Sequence, residues 1–266
     1  MRSTSRAHER ALPAPATGQP AAELVDVHKR FDGNPVLRGV SLVVPRGETM
    51  VIMGGSGSGK TVTLRLIAGL IRPTSGVVRV FGTRIDALAE EELLPIRRRM
   101  GYVFQGAALF DSLSVHENVA YPLREHTSLA EDEIRERVVG LLSLVGLGAE
   151  VLRLLPSELS GGMRKRVGIA RALAQEPEML LFDEPTAGLD PTNARMVSEL
   201  IVQLRSGVCD TAIVVTHDLE LTKTVADRVA ILIEGRFAAL GPRDDVLASE
   251  DPAVQAFLAG EAKVTT

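Results

Sequence analysis

The chain has 266 residues, 45% of them apolar, enough to bury the core of one large domain or of one domain carrying an insertion. Thirty Lys and Arg stand against 34 Asp and Glu, a formal net charge of -4, so no overall positive field draws it to nucleic acid or to an anionic membrane surface. The absence of any apolar run of about 18 residues excludes a spanning helix within the chain, and a single cysteine, Cys209, excludes an internal disulfide and reads as a small buried hydrophobe.

In chain order, residues 1–22 contain Arg2, Arg6 and Arg10 but no apolar stretch of a secretory signal, and are expected to form a disordered Ala/Pro tail; a transit peptide is the less favoured reading. Structure is expected from Glu23, with "ELVDVHKRF" and "GVSLVVPRGE" as an antiparallel pair joined by an Asp32-Gly33-Asn34-Pro35 turn. Next comes the strand "ETMVIMG", a Gly-rich loop, and a helix in which Leu64, Ile67, Ala68 and Ile71 form one apolar stripe that Pro73 ends. From Glu90 to Leu155 the pattern is mostly helical. Its clearest helix is "SLAEDEIRERVVGLLSLVGL", where Ser128 and Glu131 predict a capping box.

A second glycine turn, "LSGGM" at Leu159–Met163, heads a basic helix. Arg164, Lys165 and Arg166 then add positive charge to a helix end that is already positive, so an anionic partner is expected there. Two apolar runs, "MLLFDE" and "TAIVVTHD", and a hairpin turning at Glu234-Gly235 complete the pattern. Such runs alternating with helices imply an α/β fold with a mainly parallel sheet buried on both faces.

"GGSGSGKT", Gly54 to Thr61, is a phosphate-binding loop pattern placed between a strand and a helix. Its glycines let backbone N–H groups approach phosphate, Lys60 reaches the outer phosphates, and the Thr61 hydroxyl suits Mg²⁺. Asp183 and Glu184 end a buried strand; period two points them in different directions, so one can serve a metal and the other a water. Alone, that pair reads as a surface acidic turn, but beside a phosphate loop two parts of one reaction coincide. His217, at the end of another apolar strand, and Gln105, after "MGYVF", are left open by spacing.

Taken together, the phosphate loop, Gln105, "LSGGM", "LLFDEP", "AGLD" at Ala187–Asp190 and His217 closely resemble the nucleotide-binding subunit of ABC transporters, from about Glu23 to Gly241. The resemblance implies a P-loop NTPase (RecA-like) core at 23–89 and 159–241, with an antiparallel β subdomain. It further implies an inserted helical subdomain at 90–158 and a helical C-terminal tail at 242–266. ATP and Mg²⁺ would be the cofactors, with Gly54, Gly55, Ser56, Gly57, Ser58, Gly59, Lys60, Thr61 and Val62 at the phosphates and Phe31 stacked on adenine. Thr61, Gln105 and Asp183 would serve the metal, Gln105 also linking it to a membrane partner. Glu184 would polarise water and His217 would contact the γ-phosphate. Ser160, Gly161 and Gly162 would close on ATP held by a second copy in a head-to-tail dimer, with Asp190 crossing the interface. Val62 stands where many members carry a hydroxyl, and Met163 where many carry glutamine.

"FQGAALFDSLSVHENVAYPLREHT" and "SELSGGMRKRVGIARAL" look most like the ATPase of Mla and Mce-associated lipid transport systems, where Met163 is ordinary. That likeness implies an ATPase on the inner face of the cell membrane, powering lipid transport through a separate permease with an Mce-type or other lipid-binding subunit. An importer of amino acids or another small solute is the alternative, and a soluble ABC ATPase a more remote one. "GAALF", Gly106 to Phe110, is the candidate permease surface, with packing inside the helical insert as the competing reading.

Overall fold

The structure, a computed structural model, describes residues 18–260. Most of the expected N-terminal tail, 1–17, lies outside the described residues, as does 261–266. Ala21 and Ala22, however, are buried, and the Ala21 N–H donates to the Val44 carbonyl, so the first strand starts inside the segment read as tail.

That strand, β1 (Ala22–Phe31), pairs antiparallel with β2 (Asn34–Val44). The turn is shorter than expected: Asp32 and Gly33, at φ 48° and 83°, make a two-residue hairpin that matches the right-handed strand twist, and Asn34 and Pro35 belong to β2. Pro35 is tolerated because β2 is an edge strand. β4 (Ser75–Val80) and the short β5 (Thr83–Arg84) complete a four-stranded sheet of order β2-β1-β4-β5.

The second sheet has the order β10-β9-β3-β8-β7-β6, with β3 (Thr49–Met53), β6 (Met100–Val103), β7 (Met179–Asp183), β8 (Ala212–Thr216), β9 (Arg228–Ile233) and β10 (Arg236–Pro242). Only β10 runs antiparallel. Every residue of β3, β7 and β8 is buried, as continuous apolar runs require of strands covered on both faces. Their alternation divides two cores: Val51, Met53, Leu180 and Phe182 pack toward the helical layer, Met50, Ile52, Met179 and Leu181 toward the four-stranded sheet.

One correction concerns 90–158. That span holds α2 (Glu90–Arg97), α3 (Val115–His126) and α4 (Glu131–Leu144), but β6 lies within it and hydrogen-bonds β7. A four-residue strand without alternation is too short to register against helical surroundings. α4 also begins later than expected: Ala130, not Ser128, occupies the N-cap, and its N–H donates to Glu133 Oε2 at 2.7 Å. The reciprocal Ser/Glu box is instead at α3, where Ser114 N donates to Glu117 Oε2 (2.8 Å) and Glu117 N to Ser114 Oγ (3.2 Å).

α1 (Lys60–Ile67) ends before Pro73, because Gly69 at φ 66° already turns the chain. α5 (Gly161–Leu173) follows the second glycine turn, and α6 (Pro191–Gly207), α7 (Leu219–Val225), α8 (Arg243–Leu247) and α9 (Pro252–Leu258) complete the described chain. No helix among the described residues is long and apolar enough to cross a membrane.

Candidate functional site

The Gly54–Thr61 loop joins β3 to α1. A Cβ on Gly54 would stand 2.5 Å from the Leu232 carbonyl, and one on Gly59, at φ 107°, 2.7 Å from a Leu37 methyl; these glycines permit close packing. Around Gly55 and Gly57 a Cβ would meet nothing within 4 Å, so they face open space. That space is a cavity of about 700 Å³, lined by Gly55–Ser58, Val36, His217, the Glu234–Gly235 turn and Phe257 of α9. Ser58 Oγ is buried without a hydrogen-bond partner, and α1 carries no acid in its first turn. A cradle of backbone N–H groups with an unpaired hydroxyl at a helix N-terminus fits a phosphate chain.

Lys60 is 7% exposed, and its ammonium donates to the Gly54 (2.8 Å) and Gly55 (3.0 Å) carbonyls. It also lies 3.4 Å from Glu184 Oε1. Thr61 Oγ1 donates to Asp183 Oδ1 at 2.8 Å, placing hydroxyl and carboxylate together as a divalent cation requires. Tyr102, which sequence reasoning did not single out, donates its hydroxyl to Asp183 Oδ2 (3.2 Å); burial, then the Asp183 charge, raises its pKa. The β6–β7 register, Tyr102 beside Leu181, creates that contact.

Glu184 follows the last residue of β7 in the left-handed region, so that turn, and not the strand alternation expected from the sequence, sets its contacts apart from those of Asp183. Its Oε2 accepts from Thr216 Oγ1 (3.2 Å) and lies 3.0 Å from His217 Nδ1, whose N–H is the donor to a carboxylate. Glu184 has φ 47°, with its N–H donated to the Val215 carbonyl (2.9 Å). Thr216 and Asp218 were likewise not anticipated: Asp218 caps α7 and accepts from Thr186 Oγ1 (2.9 Å), tying the loop after Glu184 to the end of β8.

Other expected members are less concentrated. Phe31 is 43% exposed at the end of β1, with the Lys29 ammonium 4.7 Å from its ring centre, and does not line the cavity. Val62 is partly buried against the core beneath the four-stranded sheet, so its methyls serve packing. Gln105 follows β6 on an exposed loop; the bond found there is accepted by its carbonyl. Ser160 caps α5, its Oγ accepting from Met163 N (3.2 Å), but neither Ser160, Gly161 nor Gly162 lines the phosphate-loop cavity. Gly162 abuts α6: a Cβ there would be 2.3 Å from Asn193 Oδ1. Asn193 in turn donates to Asp190 Oδ2 (2.5 Å), and this bond lowers the Asp190 pKa.

The three cations after the glycine turn each donate to backbone carbonyls. Arg164 donates to the Leu159 carbonyl, Arg166 to those of Val145 and Gly146, and Lys165 to those of Gln105 and Glu184. The charges are absorbed by backbone acceptors, which sequence spacing cannot reveal. Of "GAALF", Gly106, Ala108 and Phe110 are exposed while Ala107 is buried against Gly168, so part of the segment packs inward and part faces outward. Cys209 is buried.

A family profile described as ABC transporter matches residues 37–187. The chain is 42% identical over 245 residues to the intermembrane phospholipid transport system ATP-binding protein MlaF of Escherichia coli (strain K12), covering 91% of each chain. It is 41% identical to the probable ribonucleotide transport ATP-binding protein mkl of Mycobacterium leprae (strain TN), covering 90% of this chain and 69% of that one. A dimeric ATP-binding cassette solved in a post-hydrolysis state with ADP and Pi superposes with a TM-score of 0.78 at 33% identity, covering 84% of this chain and 98% of that one. With a phosphate loop, paired carboxylates and a second glycine turn on this fold, the chain belongs to the ABC transporter family as one of its ATP-binding cassettes.

Proposed function

We propose that this chain hydrolyses ATP and thereby powers a phospholipid-transporting permease from the inner face of the cell membrane. The carrying observation is the double engagement of Glu184, with Oε1 3.4 Å from the Lys60 ammonium and Oε2 3.0 Å from His217 Nδ1. A buried carboxylate between a phosphate-reaching cation and an imidazole is placed to accept a proton from a water attacking the outer phosphate. His217 orients the carboxylate and is the candidate contact to the γ-phosphate. Gly54–Thr61 holds the triphosphate and Phe31 is available to the base; Val62 offers only its N–H.

Thr61 and Asp183, joined by their own hydrogen bond, fit Mg²⁺, with Gln105 as a further ligand. When bound, Mg²⁺ neutralises developing charge on the phosphate oxygens. The Ser160–Gly162 turn lies apart from the cradle, which supports a head-to-tail dimer in which it meets the nucleotide of a second copy, with Asp190 between them. The exposed part of Gly106–Phe110 is the candidate contact to the permease, and an Mce-type or other lipid-binding subunit completes the assembly.

Lipid as cargo is supported by the likeness to MlaF and by the segment following Gln105. An importer ATPase for amino acids or another small solute is the alternative, supported by 40% identity to the methionine import ATP-binding protein MetN of Mesorhizobium japonicum (strain LMG 29417 / CECT 9101 / MAFF 303099). Purification with the permease tests both parts. ATPase activity stimulated by the permease, with phospholipid in the complex, is the expected result; no complex, or a complex free of phospholipid whose ATPase responds to a small solute, overturns the lipid reading.

A further inference from the structure

Lys165 is 6% exposed although it carries an ammonium. From the second turn of α5 it reaches inward, donating to the Gln105 carbonyl on one side and to the Glu184 carbonyl at 3.2 Å on the other. Burial lowers its pKa, while Asp183 and Glu184 oppose that effect. Withdrawing an ammonium from water is unfavourable unless its hydrogen bonds compensate, and surface positions were available on the same helix, where Arg164 and Arg166 are only partly buried.

The backbone it grips is strained. Glu184 sits in the left-handed region at φ 47°, followed by Pro185, a conformation that persists only where the surroundings hold it. Its N–H is fixed by the Val215 carbonyl in β8, and its carbonyl accepts from both Ala187 N (3.2 Å) and Lys165 Nζ. The sheet therefore holds one side of the residue and the helical layer the other. The same ammonium holds the loop at Gln105, so the loop and the carboxylate share one donor.

We infer that Lys165 is a positioning residue for the reaction: it holds the Glu184 backbone so that the carboxylate faces the attacking water, and ties that orientation to the position of the Gln105 loop. The inference rests on Glu184 being the water-polarising group.

The test uses the full-length chain with Mg²⁺ and ATP. Lys165→Met, Lys165→Gln and Lys165→Arg are compared by steady-state ATPase, affinity for a fluorescent ATP analogue, and thermal unfolding. With the carboxylate misplaced, Lys165→Met and Lys165→Gln lower kcat by about 10- to 100-fold. KM and nucleotide affinity stay within about twofold of the parent, and Lys165→Arg recovers most of the rate. In a Glu184→Gln background, Lys165→Met changes the single-turnover rate by less than about twofold, since both act through one carboxylate. An unchanged kcat overturns the inference. So does a parallel loss of kcat, affinity and melting temperature, or failure of both neutral variants to fold, since each assigns the ammonium to stability. If Glu184→Gln itself hydrolyses ATP at the parent rate, the assignment of Glu184 fails first; if it loses activity while Lys165→Met does not, only the Lys165 inference falls.

Discussion

The Lys60 ammonium and Glu184 Oε1 lie 3.4 Å apart in side chains 8% and 11% exposed. Each is held by other partners, Lys60 by two loop carbonyls and Glu184 by Thr216 and His217, so removing one charge leaves the other in place. Glu184→Gln keeps the shape and removes the proton acceptor. It is expected to lower kcat by about 10²- to 10⁴-fold. Nucleotide still binds, and size-exclusion chromatography with ATP should show a trapped dimer; a variant that turns over at the parent rate refutes the role.

Gly162 has no room for a methyl, which would sit 2.3 Å from Asn193 Oδ1. Gly162→Ala must push Asn193 from its bond to Asp190, moving the loop acid relative to the glycine turn. A loss of about tenfold in kcat is expected, with far-UV circular dichroism unchanged. In an Asn193→Ala background the obstructing amide is gone, and adding Gly162→Ala should lower the rate little further. An equal additional loss there would locate the effect elsewhere.

Glu178 receives hydrogen bonds from Arg99 and, at 3.1 Å, from Arg46, and both guanidinium groups also lie over the Phe81 ring. Arg99 first, then Arg46, holds its pKa at about 2 instead of the ordinary 4.5. Because the folded-state value is the lower one, the stabilisation is fully present above pH 4.5 and is lost as pH falls toward about 2. With the side chain 41% exposed, solvent screening limits it to about 1 kcal/mol. Urea unfolding at stepped pH should show a steeper acid loss for the parent than for Glu178→Gln; matching pH dependence would remove this contribution.

Cys209 is 5% exposed, and burial pushes its thiol up to about 11. At pH 8 almost none is thiolate, so a thiol-specific chromogenic reagent is expected to react at least about 100-fold more slowly with the folded chain than with the unfolded one. Fast labelling of the native protein would contradict its burial.

Much of the architecture was legible because its signals are local. Apolar runs at β3, β7 and β8 require a sheet covered on both faces, and Glu234-Gly235 between apolar strands requires a tight turn. β6 was hidden because four residues carry too little pattern, and the N-cap of α4 is Ala130 because Glu133 supplies the returning carboxylate that Glu131 is expected to supply to Ser128. The contacts of Arg164, Lys165 and Arg166 were not legible, because charge along a chain does not say which carbonyls the folded backbone presents.

By itself, the amino-acid sequence determined the phosphate loop, the adjacent carboxylates Asp183 and Glu184 at the end of a buried strand, and the existence of a second glycine turn, since each follows from backbone freedom or apolar patterning over a few residues. Only the tertiary structure decided that Tyr102 reaches Asp183, that Thr216 and His217 share Glu184 Oε2, and that Lys165 joins Gln105 to Glu184. Those contacts depend on parallel-strand register and on the seating of α5 beside the sheet, both set by burial of distant apolar side chains.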